Sequence, residues 1–495
     1  MPAISRRRFL GTSVAALATA QLARAQENVA QRPNILFLLT DDQRWNALGC
    51  MGNAVVQTPN LDALARDGVL FTNAFVTTPI CCVSRASILT GQYARRHGVQ
   101  DFRRDIELES QDETYPALLR ANGYCTGFMG KWGVAAAGDP IARAAQTFDF
   151  WAGDSGQSNY WHERNCPFVT SDGFSTKAAN LCTCQPPGVA KRPGPEAMTD
   201  RVHQETDIIP AKMDAFLRGR DATKPFCMSI SFKSCHEEWE WFSDATKDLY
   251  VDTNMPVPED ATQRAVDALP EFLKKSLGSE RAAKFIAEPE QLQTILRQYY
   301  RQITGMDLAV GKIRALLESQ GLASNTVIIF TSDNGYCFGD HGISGKWLGY
   351  DPSVRVPTMV FDPRLPQERR GTRVDEMVLN IDYAPTMLAL AGISAPKRMQ
   401  GVDIGPLVRG ESVPWRDAWF FEHLYRHGGA IEPSEGVRTT RWKYLRYFNR
   451  SPVVEELYDL SVDPVEAKNL ANDPAYVETL SEMRTRWQEY CNTLV

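Results

Sequence analysis

Short apolar runs separated by amphipathic stretches give this chain its clearest pattern. Asn34-Ile-Leu-Phe-Leu-Leu39 and Val327-Ile-Ile-Phe330 are apolar without alternation, as in parallel strands buried on both faces. Cys227-Met-Ser-Ile-Ser-Phe232 predicts a third strand. Each run is followed at its carboxyl end by polar residues: Thr40-Asp41-Asp42 after the first, His236 after Cys227–Phe232, and Thr331-Ser332-Asp333-Asn334-Gly335 after the last. Amphipathic helical stretches lie between them, notably residues 290–317. Such alternation predicts an α/β sheet, whose ligands sit beyond the carboxyl ends of the strands. The three polar clusters are therefore expected to meet at one site.

Two regions depart from this rhythm. Residues 142–199 are rich in Gly, Pro, Asn, Cys and aromatics and predict an irregular insertion, of the kind that shapes specificity. From about residue 413, Trp419-Phe-Phe-Glu-His423, Lys443-Tyr-Leu-Arg-Tyr-Phe448 and Leu457-Tyr458 predict strands, and residues 475–494 predict a closing helix. The expected division is a catalytic domain over 30–405 and a small α+β subdomain over 406–495. At the front, Ser5-Arg6-Arg7-Arg8-Phe9-Leu10, an apolar run and Ala23-Arg24-Ala25 predict a twin-arginine export signal over 1–25, hence a periplasmic or secreted protein.

Composition narrows the class. The 495 residues are 43% hydrophobic and 23% charged, without a run of about 18 apolar residues, so no transmembrane anchor is expected. Net charge is −6, and removing a front segment with four arginines and no acids makes the remainder more acidic by four charges. That field repels polyanions, which argues against nucleic acid and requires a local basic pocket for any anionic substrate. None of the eleven cysteines forms a CxxC pair with zinc-site spacing, so no structural zinc is expected. Cys166, Cys182 and Cys184 are the expected place for disulfides in an oxidising destination.

Asp41, Asp42, Asp333 and Asn334 form an all-oxygen donor set, which suits hard cations such as Ca²⁺ or Mg²⁺. Adjacent acids at a buried strand end repel each other and are costly to bury without a cation. Cys81-Cys82-Val83-Ser84-Arg85-Ala86-Ser87-Ile88-Leu89-Thr90-Gly91 predicts a helix opening near Ser84 and closing at Gly91, so Cys81 faces backbone N–H groups that favour anions.

This stretch resembles the signature of the formylglycine-dependent (type I) sulfatases of the alkaline-phosphatase-like superfamily, in particular their polysaccharide-sulfatase-like members. The resemblance runs through Asn34-Ile35 with Asp41-Asp42, Gly130-Lys131-Trp132, Ser332-Asp333-Asn334-Gly335, Gly339-Asp340-His341-Gly342 with Lys346, Arg355-Val356-Pro357, Asp382-Tyr-Ala-Pro-Thr386 and Arg441-Trp-Lys-Tyr444. It continues into Glu456-Leu-Tyr-Asp-Leu460 ahead of Asp463-Pro464. It implies a large mixed β-sheet sandwiched by helices, with a small C-terminal α+β subdomain. It also implies that a formylglycine-generating enzyme oxidises Cys81 before export, and that the hydrated aldehyde is the nucleophile and completes the metal shell of Asp41, Asp42, Asp333 and Asn334. In that scheme Arg85 steadies the formylglycine end, and Lys131 and Lys346 grip the sulfate. Lys346 and His236 are the candidate acids for the leaving oxygen, and His341 orders Asp333 or Lys346.

Ca²⁺ is the expected ion, with Mg²⁺ the alternative, and sulfated carbohydrate is the expected substrate. Trp151, Trp161, Trp239 and Trp241 are candidates for stacking on sugar faces. Two positions depart from the family: Val83 stands where Pro or Ala is usual, and Gly133 where many members carry a histidine. A phosphodiesterase or phosphonate monoester hydrolase of the same superfold, or an inactive glycan-binding relative, are the alternative readings.

Overall fold

The computed structural model describes residues 32–134, 139–154, 156–175, 181–184, 200–426 and 431–494; the predicted export signal at 1–25 lies outside the described residues. Eight strands form the main sheet: β1 (Asn34–Thr40), β2 (Val69–Phe71), β3 (Cys125–Lys131), β4 (Phe150–Asp154), β5 (Phe226–Ser231), β6 (Thr326–Ser332), β7 (Thr358–Phe361) and β8 (Thr372–Val374). Their order is β8-β2-β7-β6-β1-β5-β3-β4. β1 runs parallel to both neighbours, with Leu36 opposite Met228 on one side and Ile328 on the other. β7 is antiparallel to β2 and β6, which makes the sheet mixed.

The apolar runs are explained by what covers them. Every residue of β1, β5 and β6 is buried. Leu36, Leu38, Met228, Ile230 and Phe330 pack with Tyr299, Ile303, Met306 and Val310 of the helix Pro289–Ser319. Ile35, Phe37, Leu39, Val327 and Ile329 belong to the opposite layer, with Tyr383, Ala384 and Met387 of the helix Tyr383–Leu390. A central strand that contributes to both layers has no polar side to show, so alternation disappears. Full burial of each such side chain is worth about 1.5–3 kcal/mol. This mixed sheet, covered by helices on both faces, agrees with the fold class predicted.

A second sheet of four antiparallel strands follows: β9 (Ala418–His423), β10 (Ser434–Thr439), β11 (Trp442–Tyr447) and β12 (Val454–Asp459). The helix Val477–Thr493 closes the chain. Trp419 of β9 stacks on Phe75 at 5.1 Å between ring centres, and both belong to the larger hydrophobic cluster, so this sheet shares the main core.

Two sequence expectations change. Residues 150–154, inside the region read as an irregular insertion, form β4 at the edge of the main sheet, paired in parallel with β3. All four tryptophans proposed for sugar stacking are largely buried, Trp151 at 0%, Trp161 at 5%, Trp239 at 8% and Trp241 at 3% exposure, and of the four only Trp239 lines the cavity that holds Cys81 and His236. Trp151 packs against Phe128 and Trp132 because β4 turns it into the core. Among the described residues no helix is long and apolar enough to cross a membrane.

Candidate active site

The carboxyl ends of β1, β5, β6 and β3 deliver the polar residues to one place. Asp41 and Asp42 leave β1, and Asp42 adopts a left-handed conformation (φ 56°). Asp333 and Asn334 leave β6, Lys131 ends β3, and His236 follows β5. Lys346 comes from the loop after Ser344–Gly345. The helix Cys81–Thr90 opens at Cys81 itself, one turn earlier than Ser84, with no side-chain cap at Ile80, so its first N–H groups remain available to an anion.

Arg85 ties these segments together. Its Nε donates to Asp333 Oδ2 at 2.8 Å and its Nη1 to Lys131 O at 2.7 Å and to Ser231 Oγ; Nη2 lies 3.5 Å from Asp41 Oδ2. Lys131 Nζ pairs with Asp41 Oδ2 and donates to Gln157 Oε1 at 2.7 Å. Lys346 Nζ donates to Asp42 Oδ1 at 2.5 Å, and Asn334 Nδ2 donates to the same oxygen at 2.6 Å. His236 Nε2 lies 3.9 Å from Asp42 Oδ2.

Three carboxylates and three strong cations are thus buried together. Burial pushes the Asp42 carboxyl up to about 7, with Asp41 and Asp333 adding to the rise and Lys346 opposing it. Burial also raises Asp333, again with Asp41 beside it. For Asp41 burial is outweighed by Lys131, His236, Arg85 and Lys346, which hold it well below the usual carboxylate range. Burial, only partly offset by Lys131 and Lys346, pushes the Cys81 thiol up, so the unmodified residue is a poor nucleophile.

Asp41 Oδ1, Asp42 Oδ2 and Asn334 Oδ1 are buried acceptors that no donor of the described residues reaches. Such acceptors cost about 1–3 kcal/mol each when unsatisfied. A hard divalent cation satisfies all three, so these residues fit an oxygen-ligated ion. Asp41, Asp42 and His236 also bring one potential ligand atom each within 4.8 Å of one another.

The site opens into a cavity of about 720 Å³ lined in part by Cys81, Gln157, Lys233, His236, Lys346 and Trp347. Gln157 and Lys233 escaped the reading of the sequence, because neither lies in a recognisable motif. Lys233 is nearly buried and donates to Ser158 O at 2.8 Å and Glu238 Oε2 at 2.6 Å. Burial, with Lys131, Lys346 and Lys233 nearby and Asp41 opposing, holds the His236 imidazole well below its usual range and therefore neutral. His341, expected to order Asp333 or Lys346, instead stacks on Tyr350 at 4.1 Å and faces Asp260 and Glu466 at 3.6 and 3.7 Å. It serves the packing between the sheets.

Gly133 has a structural reason. Its φ is +71°, and a Cβ there would stand 2.8 Å from Arg85 Cδ and 3.2 Å from Arg85 Nε. A histidine at this position would displace Arg85.

Comparison with known proteins adds ancestry to this geometry. Residues 33–393 match the family profile described as Sulfatase, and residues 339–493 the one described as N-sulphoglucosamine sulphohydrolase, C-terminal. The chain is 27% identical to an N-acetylglucosamine-6-O-sulfatase of Bacteroides thetaiotaomicron, over 96% of this chain and 89% of that protein. It is similar to a solved structure of a protein in complex with its substrate D-glucosamine-2-N,6-O-disulfate, with 25% identity, a TM-score of 0.74, and 94% and 98% of the two chains covered. It shares its fold with a phosphonate monoester hydrolase of Agrobacterium radiobacter at 24% identity and a TM-score of 0.72, covering 94% and 96%.

Proposed function

Because the chain belongs to the sulfatase family, and is therefore a sulfuric ester hydrolase, we propose that it acts on sulfated sugars with a formylglycine made from Cys81 and a calcium ion held by Asp41, Asp42, Asp333 and Asn334. The single observation that carries the site assignment is the set of three orphaned oxygens, Asp41 Oδ1, Asp42 Oδ2 and Asn334 Oδ1, beside Cys81. The sugar class rests on the relatives that act on sulfated glucosamine.

Formylglycine, when present, supplies a hydrated aldehyde hydroxyl as nucleophile, and the cation lowers the cost of its deprotonation. The protein's own side chains do the rest. Arg85 fixes Asp333 and the Lys131 carbonyl, so it positions the metal shell and does not meet the sulfate. Lys131 and Lys346 present ammonium groups that bind the sulfate oxygens and neutralise charge gathering there. Lys346 carries a proton that it can pass to the leaving sugar oxygen, whereas neutral His236 offers Nε2 as an acceptor, since its Nδ1 faces Glu237 O at 3.3 Å. We assign the acid to Lys346 and substrate positioning to His236. Residues 30–405 act as the catalytic unit and 406–495 as its subdomain. Residues 1–25 direct twin-arginine export after a formylglycine-generating enzyme has acted.

The test joins mass spectrometry of the Cys81 peptide to sulfate release from glucosamine 6-sulfate. An aldehyde at position 81, with turnover abolished by a chelator and restored by Ca²⁺, supports the proposal. An unmodified thiol in a host that makes formylglycine, or faster cleavage of phosphonate esters than of any sugar sulfate, overturns it. Lys346→Ala should slow sugar sulfates far more than 4-nitrophenyl sulfate, whose leaving group needs no proton; equal losses would remove Lys346 as the acid.

A further inference from the structure

A second cluster of ligand-type side chains lies beside the pocket, and the reaction does not use it. His162 belongs to the short strand Trp161–Glu163, and Cys166 follows one turn later. With Cys182 and Cys184 they bring one imidazole nitrogen and three sulfurs within 4.8 Å of one another. His162 and Cys166 are buried, and Cys182 and Cys184 are half-buried.

The imidazole is oriented for ligation. Its Nε2 lies 3.0 Å from both Asn159 O and Gln204 Oε1, two acceptors that place the proton there. Nδ1 is left with its lone pair toward the sulfurs, 3.2 Å from Cys182 Sγ and 3.9 Å from Cys166 Sγ. The sulfurs receive donors: Glu163 N–H reaches Cys184 Sγ at 3.2 Å, and Asn159 Nδ2 reaches Cys182 Sγ at 3.4 Å. Outer partners of this kind fix the tautomer of a ligating histidine and support thiolate charge. In a tetrahedral zinc site with Zn–S about 2.3 Å and Zn–N about 2.0–2.1 Å, nitrogen and sulfur stand about 3.6 Å apart, between the two distances seen here.

We propose that His162, Cys166, Cys182 and Cys184 hold a structural zinc ion. Three sulfurs leave at least one thiol outside any disulfide formed among them, and all eleven cysteines are free thiols in the structure. Thiolate and imidazole donors select zinc, whereas the oxygen set of the active site selects a hard cation, so the two centres sort their metals by chemistry. This replaces both expectations drawn from the sequence, a disulfide cluster and no zinc. The spacing hid the site: a His-x3-Cys and a Cys-x-Cys pair, sixteen residues apart, are joined only by the fold.

The site braces the pocket. Close to His162 in sequence, Gln157 Oε1 accepts from Lys131 Nζ, Ser158 O accepts from Lys233 Nζ, and Tyr160 Oη donates to His236 O at 2.9 Å. A metal at His162 therefore anchors the loop that holds three side chains or backbones of the pocket wall.

The test uses the full chain, purified from zinc-supplemented cells. One zinc per chain should survive dialysis. The cobalt-substituted protein should show intense sulfur-to-cobalt charge-transfer absorption, which oxygen ligands cannot give. Cys182→Ser should lose the zinc and the band, and raise KM for the sugar sulfate about tenfold. If that variant does not fold, the cobalt spectrum of a Cys81→Ala chain, which has no thiol at the active site, decides alone. A wild-type chain without zinc and without the band, whether its thiols alkylate freely or a Cys166–Cys182 disulfide appears in the peptide map, overturns the proposal. None of these spectroscopic outcomes depends on the reaction assigned above.

Discussion

Arg85 and Gly133 form a matched pair at the residue scale. Arg85 makes four contacts across four strand ends only because nothing projects from Gly133. Gly133→Ala should strain a left-handed backbone by about 1–2 kcal/mol and shift Arg85, lowering kcat on the order of 10²-fold, as misplacement near the chemistry does. Steady-state kinetics that leave kcat unchanged would show that Arg85 adapts. A second residue sets acid sensitivity. His97 is fully buried, accepts from Val99 N–H at Nδ1 and lies 3.0 Å from Ser87 Oγ through Nε2; burial takes it down to about 3. His423, equally buried, also falls to about 3. Because the folded values are depressed, the unfolded chain binds these protons first. The contribution of these two histidines is complete above about pH 6.5 and is lost as pH drops toward 3, by about 1.4 kcal/mol per pH unit and histidine. Melting temperatures recorded across that window should fall, and a His97→Gln variant should show a shallower decline.

At the scale of the element, the helix Cys81–Thr90 is buried along its whole length and has little amphipathic signal, yet its ends are well defined. Gly91 closes it at φ +65°, donating its N–H to Ser87 O. Gly91→Ala should cost about 1 kcal/mol, with its Cβ 3.1 Å from the flexible Met399 side chain. A denaturant titration showing no loss would mean that the loop re-forms another cap. Long periodic elements were legible: the helix predicted over 290–317 spans Pro289–Ser319, and the apolar runs became β1, β5 and β6. β2, β3, β4, β7, β8 and β10 were not read. Cys125–Lys131 carries two glycines and a lysine, and Phe150–Asp154 lies among loop residues; both are strands because their neighbours supply the ladder.

For the whole molecule, the second sheet is fastened to the first by buried charge as well as by the shared core. Lys443 of β11 donates to Asp351 Oδ1 at 2.6 Å and pairs with Glu466, while Arg438 of β10 approaches Asp351 at 3.3 Å. Arg438 and Lys443 outweigh burial and hold the Asp351 carboxyl well below its usual range. Lys443→Met takes the ammonium from buried Glu466 and leaves Asp351 to Arg438 alone among the strands of this sheet, and should cost about 3–5 kcal/mol; an unchanged unfolding midpoint would show that water replaces the ammonium. The sequence by itself determined the α/β class and the central strands, and its family resemblance pointed to the acids, cysteine and lysines of the candidate site, because strand burial and family motifs are local properties written in consecutive residues. Only the tertiary structure decided that His341 faces Glu466, that the tryptophans are buried, that Gly133 yields its space to Arg85, and that His162 meets three cysteines. Those are contacts between segments far apart in the chain, fixed by packing that no local pattern encodes.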